Sequence, residues 1–243
     1  MTAQDTTSVI DVPTVDLVAR AMVRLIPTAF YKPPVLEALA DTADDVAALA
    51  DLEALTSRRL IGQRDGLADL DARELAFRAR EQGLRRWGST HVNAAFLYTR
   101  PGGNRFNDHR RGAWYCAFDD LTALEEVGYH RTRELRFTRH FHDEVCYQAL
   151  LADFIGPFAD LRSVDPKPDC LNADPETGYP AGQTLAAALR SQGHAGLIYP
   201  SARYPGGECL VAFVPQIVQN VRPGAKWWLK WDGSPEYTVT AAD

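Results

Sequence analysis

Residues 101–126, P-G-G-N-R-F-N-D-H-R-R-G-A-W-Y-C-A-F-D-D-L-T-A-L-E-E, decide how this chain is read. At the head of the stretch, Gly102 and Gly103 let backbone approach a ligand closely, and Arg105 offers a planar guanidinium fork suited to phosphate or carboxylate. The apolar run 113–118 reads as a strand. Asp119 or Asp120 can cap a helix over 120–134, with Leu121, Leu124 and Val127 on its buried stripe. Working outward, residues 92–99 (V-N-A-A-F-L-Y-T) read as a second strand, so that the Gly- and Arg-rich loop joins two strands. Upstream, 14–26, roughly 34–60 and 71–86 place apolar residues three and four apart, as amphipathic helices do, with Pro27, Pro33 and Pro34 between the first two. No strand signal precedes residue 92, and 1–70 is expected to be a helical extension, either a packed cap or an oligomerisation arm.

Downstream, 145–154 reads as a buried strand, 163–180 as a loop rich in turn residues, and 183–192 as a short helix closed by Gly193. Strands are expected at 196–200, 209–214, 226–232 and 236–240. Strands and single helices in this order predict an α+β fold with a mixed sheet, not regular βαβ winding.

The 243 residues, 46% hydrophobic and 24% charged, suit one large domain, or one domain with a smaller appendage, and exclude fibrous and disordered classes. No apolar run reaches the ~18 residues of a membrane span, and the N-terminus lacks a signal-peptide pattern. Four scattered cysteines (116, 146, 170, 209) give neither a zinc ribbon nor a disulfide framework, and a cytoplasmic protein with reduced thiols is expected. The formal charge of −6 disfavours nonspecific nucleic-acid binding. Its distribution is uneven: residues 1–70 carry 11 acids and 6 bases, whereas 71–111 carry 9 arginines and 4 acids. An arginine-favouring composition, 22 Arg against 4 Lys, accounts for the total but not the clustering. The cluster suits capture of a small anion, a nucleotide or the acidic N-terminal segment itself.

Phosphate-loop, Rossmann, lipase and zincin motifs are absent. His140 and His142 would share a face on a strand, but no third ligand stands at a usual spacing, and no metal site is expected. The stronger constellation is Arg105, Tyr115, Glu126 and Ser201. Each has an ordinary structural reading: Arg105 paired with a local carboxylate, Tyr115 in the core, Glu126 on a solvated helix face, Ser201 capping a turn. Together they describe an anion or nucleotide site.

The runs G-G-N-R-F-N, A-W-Y-C-A-F, L-T-A-L-E-E-V and A-G-L-I-Y-P-S-A-R, in this order, resemble the RES domain over roughly residues 85–215. That family is named for its Arg, Glu and Ser, and its Tyr-to-Glu spacing of eleven is matched by Tyr115 and Glu126. The resemblance implies a fold like diphtheria-toxin-type ADP-ribosyltransferases, a RES-type catalytic domain over 71–243, and a toxin that destroys NAD by phosphorolysis or hydrolysis under the control of a cognate antitoxin. NAD is then a substrate, with inorganic phosphate a candidate co-substrate and no resident cofactor. Glu126 would stabilise the ribose cation, Arg86 and Arg105 would hold the pyrophosphate, and Tyr115 would stack on or hydrogen-bond to the nicotinamide ribose. Gly103 would admit backbone to the ligand, and Ser201 would bind ribose or a phosphate acceptor. Arg86-Trp87 matches an Arg–aromatic pair of the family, with Arg85 as competitor. Asn104 is inserted relative to the family loop, and only spacing selects Glu126 over Glu125. Alternatives are a protein ADP-ribosyltransferase or a non-catalytic binding module. A homodimer is the default assembly. If residues 1–70 cover the site, deleting them raises activity.

Overall fold

A computed structural model describes residues 11–31, 66, 69–75 and 88–242. Its spine is β3 (His142–Asp160), which contacts three other strands. Along one edge it pairs antiparallel with β1 (Thr14–Pro27), from Thr14 opposite Ala159 to Pro27 opposite Tyr147. Along the other it pairs with β6 (Gln219–Asp232), and its last residues run parallel to β4 (Gly196–Pro200). β4 pairs with β5 (Glu208–Ala212), β5 with β2 (Trp114–Ala117), and β2 returns to β1 where Val23 meets Ala117. The pairings β1–β2–β5–β4–β3–β1 therefore close a ring, from which β6 and β7 (Tyr237–Ala242) extend.

β4 and β5 are covered on both sides, so they read as nearly unbroken apolar runs, not alternating ones. One core holds Phe106, Leu124, Leu135, Leu189, Tyr199 and Trp231, beneath α3 (Asp120–Thr138) and α4 (Pro175–Ser191). The other holds Phe96, Trp114, Phe154 and Phe158 beneath α2 (Ser89–Leu97). A single helical turn, α1 (Thr28–Tyr31), follows β1. No described helix is long and apolar enough to cross a membrane.

The mixed α+β sheet agrees with the sequence reading, and the strands expected near 113–118, 145–154, 196–200, 209–214, 226–232 and 236–240 are present. Several expectations are corrected. Residues 14–26, expected as a helix, are β1, so this part of the supposed helical extension is an integral strand of the sheet. The cause is a bulge between Ala19 and Met22, with Ala21 at φ 58°, which slips the two-residue alternation and imitates helical spacing. Residues 92–99, expected as a strand, lie largely in α2, which buries Val92, Ala95, Phe96 and Leu97. In 71–86 a short 3₁₀ turn spans Ala72–Leu75, and 76–86, like 34–60, lie outside the described residues. α4 begins at Pro175 inside the expected loop, because Asp174 caps it and Pro175 tolerates the first turn. Leu121, expected to be buried, is exposed, and α3 turns Thr122 and Ala123 inward instead.

Candidate active site

A cavity of about 430 Å³ opens between β1, β2, the loop after α2, α3 and the turn after β4. It is lined by Arg24, Arg100, Arg105 and Arg203, and its one carboxylate among the described lining residues is Glu126. Such a wall suits an anion.

Glu126 is delivered by α3, whose start is fixed by Asp119: its carboxylate accepts from the Thr122 N–H at 2.7 Å and from the Thr122 hydroxyl at 2.8 Å. Asp119, not Asp120, is therefore the cap. The helix register also separates the two adjacent glutamates. Glu125 accepts from the Tyr237 hydroxyl at 3.0 Å on the side facing β7, whereas Glu126 faces the cavity.

Ser201 donates its hydroxyl to Glu126 Oε1 at 2.6 Å. Ser201 Oγ in turn accepts from the Arg203 and Tyr204 N–H groups at 3.1 and 3.0 Å, closing the turn that follows β4. One hydroxyl thus ties the turn to α3 and leaves the Glu126 carboxylate held from behind. The turn also places Arg203 over the Tyr129 ring, 3.5 Å from its centroid, and Arg203 Nη1 donates to the Ala173 carbonyl at 2.8 Å.

Arg105 is buried, and its Nη1 donates to the Cys170 and Asn172 carbonyls, both at 2.7 Å. These bonds anchor the segment leading into α4, and only the rest of the fork is left for a ligand. Gly178 and Gly182 of α4 lie against Arg105, where a side chain would collide with it. Gly103 sits at φ 70° with the Asn107 carbonyl oxygen where a β-carbon would be, so glycine is required there by the loop's own closure.

Tyr115 lines the cavity, but its hydroxyl is engaged. It donates to Asn107 Oδ1 and accepts from the Phe106 N–H, both at 2.9 Å, and burial pushes its ionisation well above the usual phenol range. Tyr115 is thereby a strut of the Gly-Gly loop. Arg86, and its competitor Arg85, lie outside the described residues.

Arg24 on β1 is a cavity residue that the sequence reading passed over. Its Nη1 donates to the Tyr115 carbonyl at 3.1 Å, its guanidinium lies 4.9 Å from the Trp114 ring centroid, and burial lowers its pKa. Among the described residues no carboxylate pairs with it, and it lines the cavity. Read as part of an amphipathic helix, it had no reason to face a site.

The sequence matches the RES domain over residues 75–232. The chain belongs to the RES domain family. Glu126, Ser201, Arg105, Tyr115 and Arg203 fall inside the matched RES region, whereas Arg24 lies before it yet completes the cavity wall. Among solved structures the RES chain is similar to a chain from the crystal structure of the M. tuberculosis MbcT-MbcA toxin-antitoxin complex, at 15% identity and a TM-score of 0.35, over 52% of this chain and 72% of that one. A comparison with curated protein sequences gives no match.

Proposed function

We propose that this RES protein cleaves the nicotinamide–ribose bond of NAD, and acts in the cytoplasm as the toxin of a toxin–antitoxin pair whose antitoxin closes the cavity. The observation that carries the reading is Glu126, held by the Ser201 hydroxyl at 2.6 Å as the one carboxylate, among the described residues, in a cavity wall that also carries four arginines. Cleavage sends the glycosidic electron pair to nicotinamide, which leaves neutral, and builds positive charge on the ribose, as in glycoside hydrolysis. Such a reaction needs an anion at the ribose and cations at the pyrophosphate more than it needs a strong acid. Glu126 supplies the first, and Arg24, Arg203 and the unspent part of Arg105 supply the second. An oxygen of water or inorganic phosphate then bonds to the ribose carbon, with a proton released in the hydrolytic case. The relationship to diphtheria-toxin-type transferases belongs to the same proposal.

NAD consumption by the purified protein, followed with and without inorganic phosphate and resolved by product mass, tests it. ADP-ribose-1″-phosphate formed only with phosphate identifies a phosphorylase, and free ADP-ribose a hydrolase. A labelled ADP-ribose adduct on protein would make it a transferase. Absence of NAD loss and of adduct would reject the enzyme reading. Growth arrest on expression, relieved by the product of a neighbouring gene, tests the toxin assignment.

A further inference from the structure

His130 stands one helical turn beyond Glu126 on α3 and lines the same cavity. Its Nδ1 is closed off from solvent and, among the described residues, has no hydrogen-bond partner, an uncommon state for a buried ring nitrogen. Its ring meets that of Tyr129 edge-on, with centroids 5.5 Å apart. The charges around it come from every side: Arg24 from β1, Arg100 from the loop after α2, Arg105 from the Gly-Gly loop, Arg203 from the turn after β4, and Arg133 from its own helix. Glu126 is the one carboxylate lining the cavity among the described residues, and it is already bonded to Ser201. The remaining titratable lining residues, Tyr98, Tyr115, Tyr179 and Tyr199 and the thiols of Cys116 and Cys209, bring no positive charge, and outside the lining Glu134 pairs with Arg100 at 2.9 Å.

We propose that an anion entering this cavity is bound by His130 together with the arginines, and that binding carries a proton from solvent onto the imidazole. In the free protein, burial first, and then the charges of Arg100, Arg203, Arg133 and Arg105, press the His130 pKa down to about 4, so the ring is neutral. An anion among the arginines cancels the repulsive part of that field and adds an attractive one. The cation then becomes the favoured form, and its second N–H gives the ring a donor that the neutral form lacks. Ligand and proton therefore assist one another. The inference rests on the cavity being the ligand site, not on NAD being the ligand.

Two probes that do not themselves titrate between pH 5 and 8 separate these questions: ADP-ribose and inorganic sulfate. Calorimetry of the full chain in buffers of differing ionisation enthalpy should show proton uptake on binding, with affinity rising by up to about tenfold per pH unit as pH falls from 7.5 to 5.5. His130→Gln should bind without uptake and with little pH dependence. The imidazole resonances of His130 in the wild type, which need no variant, should titrate near 4 in the free protein and distinctly higher in the sulfate complex. Binding without uptake, uptake that persists in His130→Gln, or failure of both probes to bind overturns the inference. Sulfate binding with uptake, but no binding of ADP-ribose, sustains it while rejecting the NAD reading.

Discussion

Glu126 and Ser201 are 75 residues apart in the chain and 2.6 Å apart in space, and the hydrogen bond between them divides the labour of the site. Glu126 faces the cavity, and in the proposed reaction Ser201 acts through it. Glu126→Gln is expected to lower NAD turnover by about 10²–10³ with little change in Tm, since the amide fills the same space and loses the charge. Near-wild-type turnover in that folded variant would remove Glu126 from the mechanism. Ser201→Ala should lower kcat at least about tenfold while leaving KM for NAD nearly unchanged, because the carboxylate remains but is no longer aimed. A rise in KM alone would return Ser201 to substrate binding. Tyr115→Phe should act differently: losing the link to Asn107 and Phe106 costs about 1–2 kcal/mol of stability, and turnover of the folded fraction falls far less than with Glu126→Gln. An equal fall would make the phenol catalytic. Glu126 and Ser201 were legible because both sit in short motifs whose spacing survives translation into a helix face and a strand end. Arg24 and His130 were not, since what marks them is burial among other arginines, which no local pattern records.

Asp153 on β3 shows how one side chain can set the shape of an element. Its carboxylate accepts from the Ala21 N–H at the β1 bulge at 2.8 Å, from Asn220 Nδ2 at 2.7 Å and from Arg222 Nη1 at 2.9 Å. Ala21 and Asn220 both have positive φ, so the two irregular neighbours of β3 are pinned by the same group. The bulge that disguised β1 as a helix is thus stabilised by a residue more than 130 positions away, out of reach of any window reading. The run 92–99 failed for a plainer reason: a short apolar stretch fits a buried strand or a buried helix equally well, and only its packing against β2 decides. Burial alone would raise the Asp153 carboxyl, but the bonds from Asn220, Ala21 and Arg222 outweigh it and hold the pKa at about 2. Against an unfolded value of ~3.9, its contribution to stability is fully present above that value and is lost as pH falls towards 2. Asp153→Asn should therefore cost about 2 kcal/mol at neutral pH, and the gap to wild type should narrow as chemical denaturation is repeated from pH 5 down to pH 2. A gap independent of pH would show that the carboxylate charge is not what holds the bulges.

At the scale of the molecule, the ring of strands and the cavity depend on the same N-terminal strand. β1 closes β2 onto β3, buries Ala19, Met22, Val23 and Leu25, and places Arg24 in the cavity wall, although it precedes the RES match. Contacts such as Thr14 to Ala159 are remote in sequence, which is why an appendage and a domain were expected where the structure has one continuous sheet. The segment Asp69–Leu75 is tied in as well: Arg111, itself buried, donates to both carboxylate oxygens of Glu74 and to the carbonyls of Asp69 and Phe213. Deleting residues 1–70 therefore does not uncover a finished active site. It strips one edge of β3 of its partner from Tyr147 to Ala159 and opens the ring at β2, leaving unpaired strand edges and an exposed apolar face. The truncated chain is expected to lose its cooperative thermal transition and to aggregate, and NAD turnover should disappear with it. A soluble 71–243 fragment with a sharp transition and raised turnover would instead show that the sheet tolerates the loss and that the first 70 residues serve as a lid. Arg24→Gln in the full chain separates the structural role of β1 from its chemical one: it keeps the strand, so the thermal transition should persist while the NAD concentration needed for half-maximal turnover rises about tenfold or more.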